Sequence, residues 1–506
     1  MGLTLSSYQK AIIDAVKNTD DCLSIQAVAG SGKTYTLLEC MKHINTYNAI
    51  FIAFNKSIAD ELASKVPANF AARTFHSICF EAWRNFCDDR RLKVDEDKVW
   101  SIIWKLFEED DVKTYGYFIK QLVGLAKNMG IGTDLLPDTL DAWNELVDRH
   151  DLRIPSARGD QTVGILYARK VLVESSKARY VIDFDDMLYL PLLYGATFRR
   201  FDIIFIDEAQ DLSSIQHALL ESMLNADGRL IAVGDEHQAI YGFRGADSES
   251  MGKLADDFDC VKFPLSVTYR CDKAIVEHAK QWVPHIEPRK YAGDGIVEEL
   301  AEFSVNTFDD GDVVICRNSA PLISLAYGFI RRGRRVKMLG RDIGEGLILL
   351  IDKMRTEDID ELEVKLEKWY TREMEKARKR SNESLMISVE DKYQCINIFI
   401  QNLDEDYRTV DDLCYEIARI FKETDESMLT LCTGHKSKGL EWEHVFWLER
   451  GLIPSAYATK EWMLRQEDNL AYVITTRAKH HLSFISQSGW VHGEKYIEEK
   501  DTNNEE

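Results

Sequence analysis

Short apolar runs, each bounded by polar or glycine-bearing segments, recur along the chain. Residues 22–27, 49–54, 201–206 and 229–233 are four of them. Each is short for a helix and nearly continuous in apolar character, which predicts a strand buried on both faces. Residues 35–43 and 56–65 carry helical spacing instead. From about 80 to 180 the pattern turns helical and charged, with Trp83, Trp100, Trp104 and Trp143 supplying apolar faces. A second set of strand-like runs follows at 312–316, 335–339, 428–432 and 444–448. A second helical block, 345–425, divides this set and includes the alternating charges of 357–380. The expected fold class is α/β, with two cores that each carry a helical insertion. The predicted boundaries place the first core at 1–80 and 181–270, around an insertion at 81–180. They place the second core at 271–344 and 426–490, around the insertion at 345–425, with an acidic tail at 491–506 that has nothing to pack.

Composition narrows the class. With 506 residues and 45% hydrophobic content, the chain can bury several cores. No run approaches the roughly 18 apolar residues of a membrane span, and the first seven residues lack the basic start and apolar stretch of a secretory signal. Neither a membrane nor export is expected. Ten cysteines include no C-x-x-C pair, so they read as free buried thiols in a reducing cytosol. A net charge of −22 argues against a nucleic-acid partner when taken as a whole-molecule sum. A binding channel needs only a local positive field, however, and basic clusters exist at 331–337 and 376–380.

The sharpest chemistry is a nucleotide site split across the sequence. Ala27-Val-Ala-Gly-Ser-Gly-Lys-Thr34 follows the first apolar run. Gly30 and Gly32 let the backbone curl so that N–H groups of the loop, Ala29 and Ser31 among them, face phosphate oxygens. Lys33 can reach the outer phosphates and Thr34 can place its hydroxyl on Mg2+, with Tyr35 opening the helix behind them. The run 201–206 ends in Asp207-Glu208-Ala-Gln-Asp211, where Asp207 is placed to hold the same ion and Glu208 to activate water. An ordinary buried strand explains the apolar run but not two adjacent acids beside a glutamine. Ala27 departs from the glycine that opens the strict loop pattern. Lys33 and Asp207 stand 174 residues apart, too far for the few βα units that join strands of one sheet, so a segment is inserted between them.

Further motifs follow in order. Tyr8-Gln9 precedes the loop, and Ala53-Phe-Asn-Lys56, Thr74-Phe-His-Ser77 and Asp183-Phe-Asp-Asp-Met-Leu188 come after it. Then come Gly234-Asp-Glu-His-Gln-Ala-Ile-Tyr-Gly-Phe-Arg-Gly-Ala246 and Leu265-Ser-Val-Thr-Tyr-Arg270. Thr433-Gly-His-Lys-Ser-Lys-Gly-Leu-Glu441 and Tyr472-Val-Ile-Thr-Thr-Arg-Ala-Lys479 close the series. This ordered set resembles the UvrD/Rep/PcrA-type superfamily-one DNA helicases over roughly residues 5–485.

The resemblance implies two RecA-like P-loop NTPase cores that use ATP and Mg2+. It assigns Gln9 to the adenine edge, Tyr269 to stacking on the base, Glu441 to the ribose and Gln238 to sensing the γ-phosphate. Arg270 and Arg477 match two arginine fingers supplied from the second core. Positive charge at the transition state is what phosphoryl transfer requires. For DNA, the resemblance points to Phe54, Asn55, His76, Tyr241, Phe243, Arg244 and His435 along a single-strand channel. Aromatic faces suit single strands because every base can stack on them. Two departures stand out: Phe243 where many relatives carry Trp, and Gly434 where they carry a larger apolar residue.

The implied activity is ATP-dependent 3′–5′ translocation on single-stranded DNA coupled to duplex unwinding. Single-stranded and tailed duplex DNA would be the substrates, and replication or recombination proteins the partners. The setting would be the cytoplasm of a bacterial or phage-infected cell, since compact relatives with short insertions are often phage-borne. One alternative is a DNA-stimulated ATPase that translocates or displaces proteins without separating strands. A nucleotide-dependent protein-binding switch is a third reading, against which the arginine pair and the DNA motifs count.

Overall fold

Alternation along the central strands decides what each face of the first sheet buries. In the computed structural model, which describes residues 5–491 apart from 54, 89–90, 150–151, 153, 155–158, 241–249, 380–382, 404–407 and 423–427, the chain divides into two compact units between Val267 and Thr268. The first unit holds a six-stranded sheet of β1 (Leu23–Ala27), β2 (Ala49–Ala53), β3 (Phe70–Thr74), β4 (Phe201–Ile206), β5 (Leu224–Gly234) and β6 (Val261–Leu265). Its order is β3-β2-β4-β5-β1-β6, and every pairing is parallel. Ile50, Ile52, Ile204, Ile206, Leu230 and Ala232 point to one face. Ala49, Phe51, Ala53, Ile203, Phe205, Ile231 and Val233 point to the other. A period of two with both faces apolar is what a parallel strand covered by helices requires.

The second face packs against the helices Ser7–Asn18, Lys33–Met41 and Lys56–Ala63. The first face continues without a break into the helices between β3 and β4, chiefly Phe75–Phe86, Lys98–Leu106, Glu109–Met129, Leu140–Arg149, Gln161–Lys177 and Phe184–Leu193. Trp83 and Trp143 are fully buried there, as their place in the pattern predicts. Trp104 is not: it is 56% exposed. Val99 and Ile103 take the inward stripe of helix Lys98–Leu106, and Trp104 lies one residue, about 100°, round from it.

A buried charge network joins this helical block to the segment leading back into the sheet. Lys98 Nζ lies 2.5 Å from Asp186, and Lys127 Nζ lies 2.6 Å from Asp183 and 2.8 Å from Asp186. Asp183 also caps helix Phe184–Leu193 by accepting the Asp186 backbone N–H at 2.7 Å. Four charges out of water are tolerable only because each lies against an opposite partner.

The second unit carries its own parallel six-stranded sheet of β7 (Ile296–Glu299), β8 (Val313–Cys316), β9 (Val336–Met338), β10 (Leu429–Thr433), β11 (Trp442–Leu448) and β12 (Ala478–Ile485), ordered β7-β12-β11-β8-β10-β9. Helices Arg341–Asp352, Ile359–Lys379, Glu383–Asn402 and Val410–Ile420 lie between β9 and β10 and share one apolar cluster with the sheet. Asp391 fixes this block to helix Ser319–Ile330 by accepting the N–H groups of Ser319 and Ala320 at 2.9 and 3.1 Å. The basic run 331–337 is only partly available to solvent. Arg334 is 2% exposed and donates to the carbonyls of Val305 and Phe308 at 2.8 and 2.6 Å.

All ten cysteines are free thiols, but Cys22, Cys87, Cys260 and Cys414 are only half-buried, which corrects the expectation that all are buried. Among the described residues no helix is long and apolar enough to cross a membrane.

The buried network yields a direct test. Asp186→Asn keeps the side-chain shape but leaves Lys98 and Lys127 short of negative charge, and should cost about 3–5 kcal/mol in urea unfolding of the chain. A loss under about 1 kcal/mol would put these pairs at the strength of surface contacts.

Candidate nucleotide and nucleic-acid sites

The C-terminal edge of the first sheet gathers the nucleotide chemistry. β1 passes into the loop with its last ladder bond, Val28 N–H to the Leu265 carbonyl at 3.2 Å. Gly30 and Gly32 take φ values of +69° and +76°, a region where a Cβ is strained. Helix Lys33–Met41 then starts at Gly32 with no side chain capping its N–H groups. These donors and the positive end of the helix dipole face the same way. The Ser31 hydroxyl is fully buried and makes no protein hydrogen bond, as suits a group that meets a phosphate oxygen.

Residues far apart in sequence meet at this edge. The Thr34 hydroxyl donates to Asp207 Oδ2, and Lys33 Nζ lies 2.7 Å from Glu208 Oε2. Burial pushes the Asp207 carboxyl up to about 6, with the neighbouring Glu208 charge adding to the effect. Burial works against the Lys33 charge, but Glu208, Asp207 and Asp235 together hold it above the ordinary lysine value. Glu208 itself sits at φ +54°, strained for a residue with a side chain. A cavity of about 410 Å3 opens beside Thr34, Asp207 and Glu208 and is walled by Tyr35, Leu38, Ile58 and Leu62, with Glu61 and Lys65.

A hydrogen-bonded chain leads away from Glu208. Gln210 Nε2 donates to Glu208 Oε2 at 2.6 Å, and Gln210 Oε1 accepts the Asp235 backbone N–H at 2.9 Å. Asp235 Oδ2 in turn accepts from Gln238 Nε2 at 2.6 Å. Gly234 is required for this approach, since a Cβ there would stand 2.8 Å from Gln210 Oε1 and 2.6 Å from Met251 Sδ. Gln210 and Asp235 carry no role in the sequence reading. Both lie inside motifs of the sequence, Asp207-Glu-Ala-Gln-Asp211 and Gly234-Asp-Glu-His-Gln238, but residue type alone gave them no role.

Gln9 lies beside this loop. Its Nε2 donates to Thr36 Oγ1 at 3.0 Å, and its Oε1 accepts from the Ser6 backbone in a capping box. In the second unit, Arg270 Nε donates to Glu441 Oε2 at 2.7 Å and its NH1 to the Thr476 carbonyl at 3.1 Å. Arg477 is 1% exposed and bonds the carbonyls of Val473 and Leu440, each at 3.0 Å. Glu441 is partly buried, yet Arg270 and Lys479 hold its carboxyl below the usual range. Arg270, Glu441 and Arg477 are therefore neighbours. Tyr269 is half-buried next to them, its carbonyl accepting from Arg289 at 2.5 Å. The unit division at 267/268 places Tyr269 and Arg270 with the second unit, three residues earlier than the boundary at 270/271.

Of the DNA residues, Phe54, Tyr241, Phe243 and Arg244 lie outside the described residues. Asn55 caps helix Lys56–Ala63, its Oδ1 accepting the Ile58 N–H at 2.9 Å. His435 is half-buried after β10. Gly434 before it has no room for a side chain, because a Cβ would meet Ile474 at 2.8 Å and Leu470 at 2.9 Å. His76 sits in the first turn of helix Phe75–Phe86, and burial lowers its pKa. Its ring is edge-on to Phe184 at 6.3 Å, and Phe184 is 50% exposed. Phe184, at the start of a helix and flanked by acids, therefore presents an exposed ring beside His76, a position the sequence motif contained without marking.

Two family models match the chain: the UvrD/REP helicase N-terminal domain over residues 8–259 and the UvrD-like helicase C-terminal domain over 356–489. The chain belongs to this UvrD-like helicase family. Similar proteins include the ATP-dependent DNA helicases PcrA of Staphylococcus epidermidis and Staphylococcus aureus, each 26% identical over 307 residues. The similarity covers 55% of this chain and 40% of each relative.

Removing single groups separates binding from chemistry. Glu208→Gln should lower ATP turnover by about 10²–10⁴-fold while a fluorescent ATP analogue still binds, because Lys33 loses its competing ion pair. Lys33→Ala should lose both. Wild-type turnover in Glu208→Gln would remove Glu208 as the base.

Proposed function

We propose that the chain is an ATP- and Mg2+-dependent motor that translocates 3′ to 5′ on single-stranded DNA and unwinds duplexes ahead of it. What carries the proposal is the joined set at the first sheet edge: Thr34 on Asp207, Lys33 on Glu208, and Gln210 linking Glu208 to Asp235 and Gln238. A merely structural strand end has no use for a buried lysine facing three carboxylates.

On this reading the loop N–H groups and the Ser31 hydroxyl hold the phosphates of ATP. Lys33 moves from Glu208 to the outer phosphates, which frees the carboxylate to accept a proton from the attacking water. Thr34 and Asp207 would hold Mg2+. Among the described residues no group of three metal-binding side chains exists, and a magnesium site completed by substrate phosphates needs only one or two protein ligands. The ion, when bound, neutralises charge on the phosphate oxygens. Gln238 then reports the state of Glu208 through Gln210 and Asp235. The family resemblance adds Gln9 for adenine, Tyr269 for the base, Glu441 for the ribose and Arg270 and Arg477 as the transition-state cations.

DNA contacts fall to Phe54, Asn55, His76, Tyr241, Phe243, Arg244 and His435 by the same resemblance. Exposure and the ring contact with His76 add Phe184 to them. The polarity and the unwinding step rest on the family motifs. Single-stranded and tailed duplex DNA are the proposed substrates, replication or recombination proteins the proposed partners, and the cytoplasm the proposed setting.

Tailed duplexes test the motor. A short duplex with a 3′ single-stranded tail should be unwound at low salt, and one with a 5′ tail should not. A 5′ preference overturns the polarity. Failure on both tails with DNA-stimulated ATPase intact favours translocation without strand separation. Phe184→Ala should reduce DNA stimulation of the ATPase far more than basal turnover, as losing about 1–3 kcal/mol of stacking implies. Equal reduction with and without DNA would make Phe184 a packing residue.

A further inference from the structure

Edge strand β6 places a second chemistry far from the nucleotide loop. β1 and β6 run parallel in register, Leu23 opposite Val261, and Val261 N–H donates to the Cys22 carbonyl at 2.9 Å. One residue earlier on each strand stands a cysteine, Cys22 and Cys260. Neighbouring strands lie about 4.8 Å apart, inside the roughly 4.4–6.8 Å Cα separation that a disulfide spans. Both side chains pack against the same apolar cluster at that end of the two strands. Both are half-buried, whereas Cys40, Cys79, Cys271, Cys316, Cys395 and Cys432 are buried.

The two thiols differ in chemistry. Cys22 Sγ accepts the Leu230 backbone N–H at 3.2 Å, and Cys260 and the Arg229 guanidinium lie close by. These donors favour its thiolate against the effects of burial and of Asp21. The Cys260 thiol donates to the Leu254 carbonyl at 3.9 Å, and its Cys22 neighbour and burial hold it well above the ordinary range. A low-pKa thiolate beside a higher-pKa thiol is the arrangement of an attacking and a resolving cysteine.

We propose that Cys22 and Cys260 form an oxidation site at which a low-molecular-weight disulfide converts the thiol pair into a Cys22–Cys260 bond. The Cys22 thiolate attacks one sulfur of the reagent, forming a mixed disulfide and releasing one thiolate. Cys260 then gives its proton to solvent and attacks Cys22 Sγ, releasing the second thiolate. The chain loses two electrons and the reagent gains them, leaving as two thiols. The bond ties the outermost strand to β1, whose ladder with β6 ends at the phosphate loop.

Oxidised glutathione added to the native full-length chain tests this. After acid quench and alkylation, thiol titration should show the loss of two of the ten thiols, and peptide mass spectrometry should find Cys22 joined to Cys260. Cys260→Ser should stop the reaction at a glutathione adduct on Cys22, and Cys22→Ser should leave Cys260 reduced. Early adducts should favour Cys22 over Cys260 by at least about tenfold. Circular dichroism of both variants verifies folding. The proposal is overturned if wild-type chain keeps a stable adduct on Cys22 without closing the bond, if Cys260 reacts first, or if neither thiol reacts while the chain is folded.

Discussion

Burying charge is the constraint around which the first unit is arranged. Lys33, Asp207, Glu208 and Asp235 share one sheet edge, a single cation among three carboxylates. Asp207 and Asp235 are buried and pushed toward their neutral forms, while Lys33 stays charged because acids surround it. Such a set is stable only if its lone pairs find donors, and here Thr34, Gln210 and Gln238 supply them. The remaining imbalance is negative. On the proposed reading a magnesium ion would relieve it, and the open N–H groups of the loop would take the phosphates that accompany the ion.

The parallel sheet makes this assembly possible. Each strand delivers its last residue to the same edge, so β1, β4 and β5 bring Lys33, Glu208 and Asp235 together although the chain wanders through a helical block between them. That block is not a loosely tethered arm. It shares its apolar cluster with the sheet, and Lys98 and Lys127 fasten it to Asp183 and Asp186. The same fastening holds Phe184 beside His76, since Asp183 caps the helix that Phe184 begins. A surface that meets DNA on the proposed reading is thus positioned by ion pairs buried behind it.

Most central strands were legible in sequence because both of their faces are buried and their apolar runs are unbroken; β12, with Lys479, His480 and His481 near its start, was not. Of the edges only β9 was marked, and β3, β6 and β7 were not. Phe70-Ala-Ala-Arg-Thr74, Val261-Lys-Phe-Pro-Leu265 and Ile296-Val-Glu-Glu299 have polar residues or a proline where a solvated edge allows them, and no apolar run marks them. The loop, its lysine and the Asp207-Glu208 pair were visible because their residue types are unusual in a strand turn. Gln210, Asp235 and Phe184 were not, because a glutamine, an aspartate or a phenylalanine acquires meaning only from what it touches. Trp104 shows the converse. Helical spacing predicts a stripe, but one residue of phase moves a tryptophan from the core into solvent.

Net charge bears on the DNA reading through how the cations are spent. Arg229 donates to the carbonyls of Asp21 and Val16, Arg334 to those of Val305 and Phe308, and Arg477 to those of Val473 and Leu440. Arg317 is held by Glu467 at 2.7 Å and Arg270 by Glu441 at the same distance. These arginines serve the fold or the proposed nucleotide site, so they add little to a field around DNA in a chain of net charge −22. Each phosphate neutralised on a single strand contributes only about −0.7 to the slope of log K against log salt. Aromatic stacking carries no such dependence, at about 1–3 kcal/mol per base. On the proposed reading, stacking on aromatic faces such as His76 and Phe184 would supply the part of the hold on DNA that salt does not weaken.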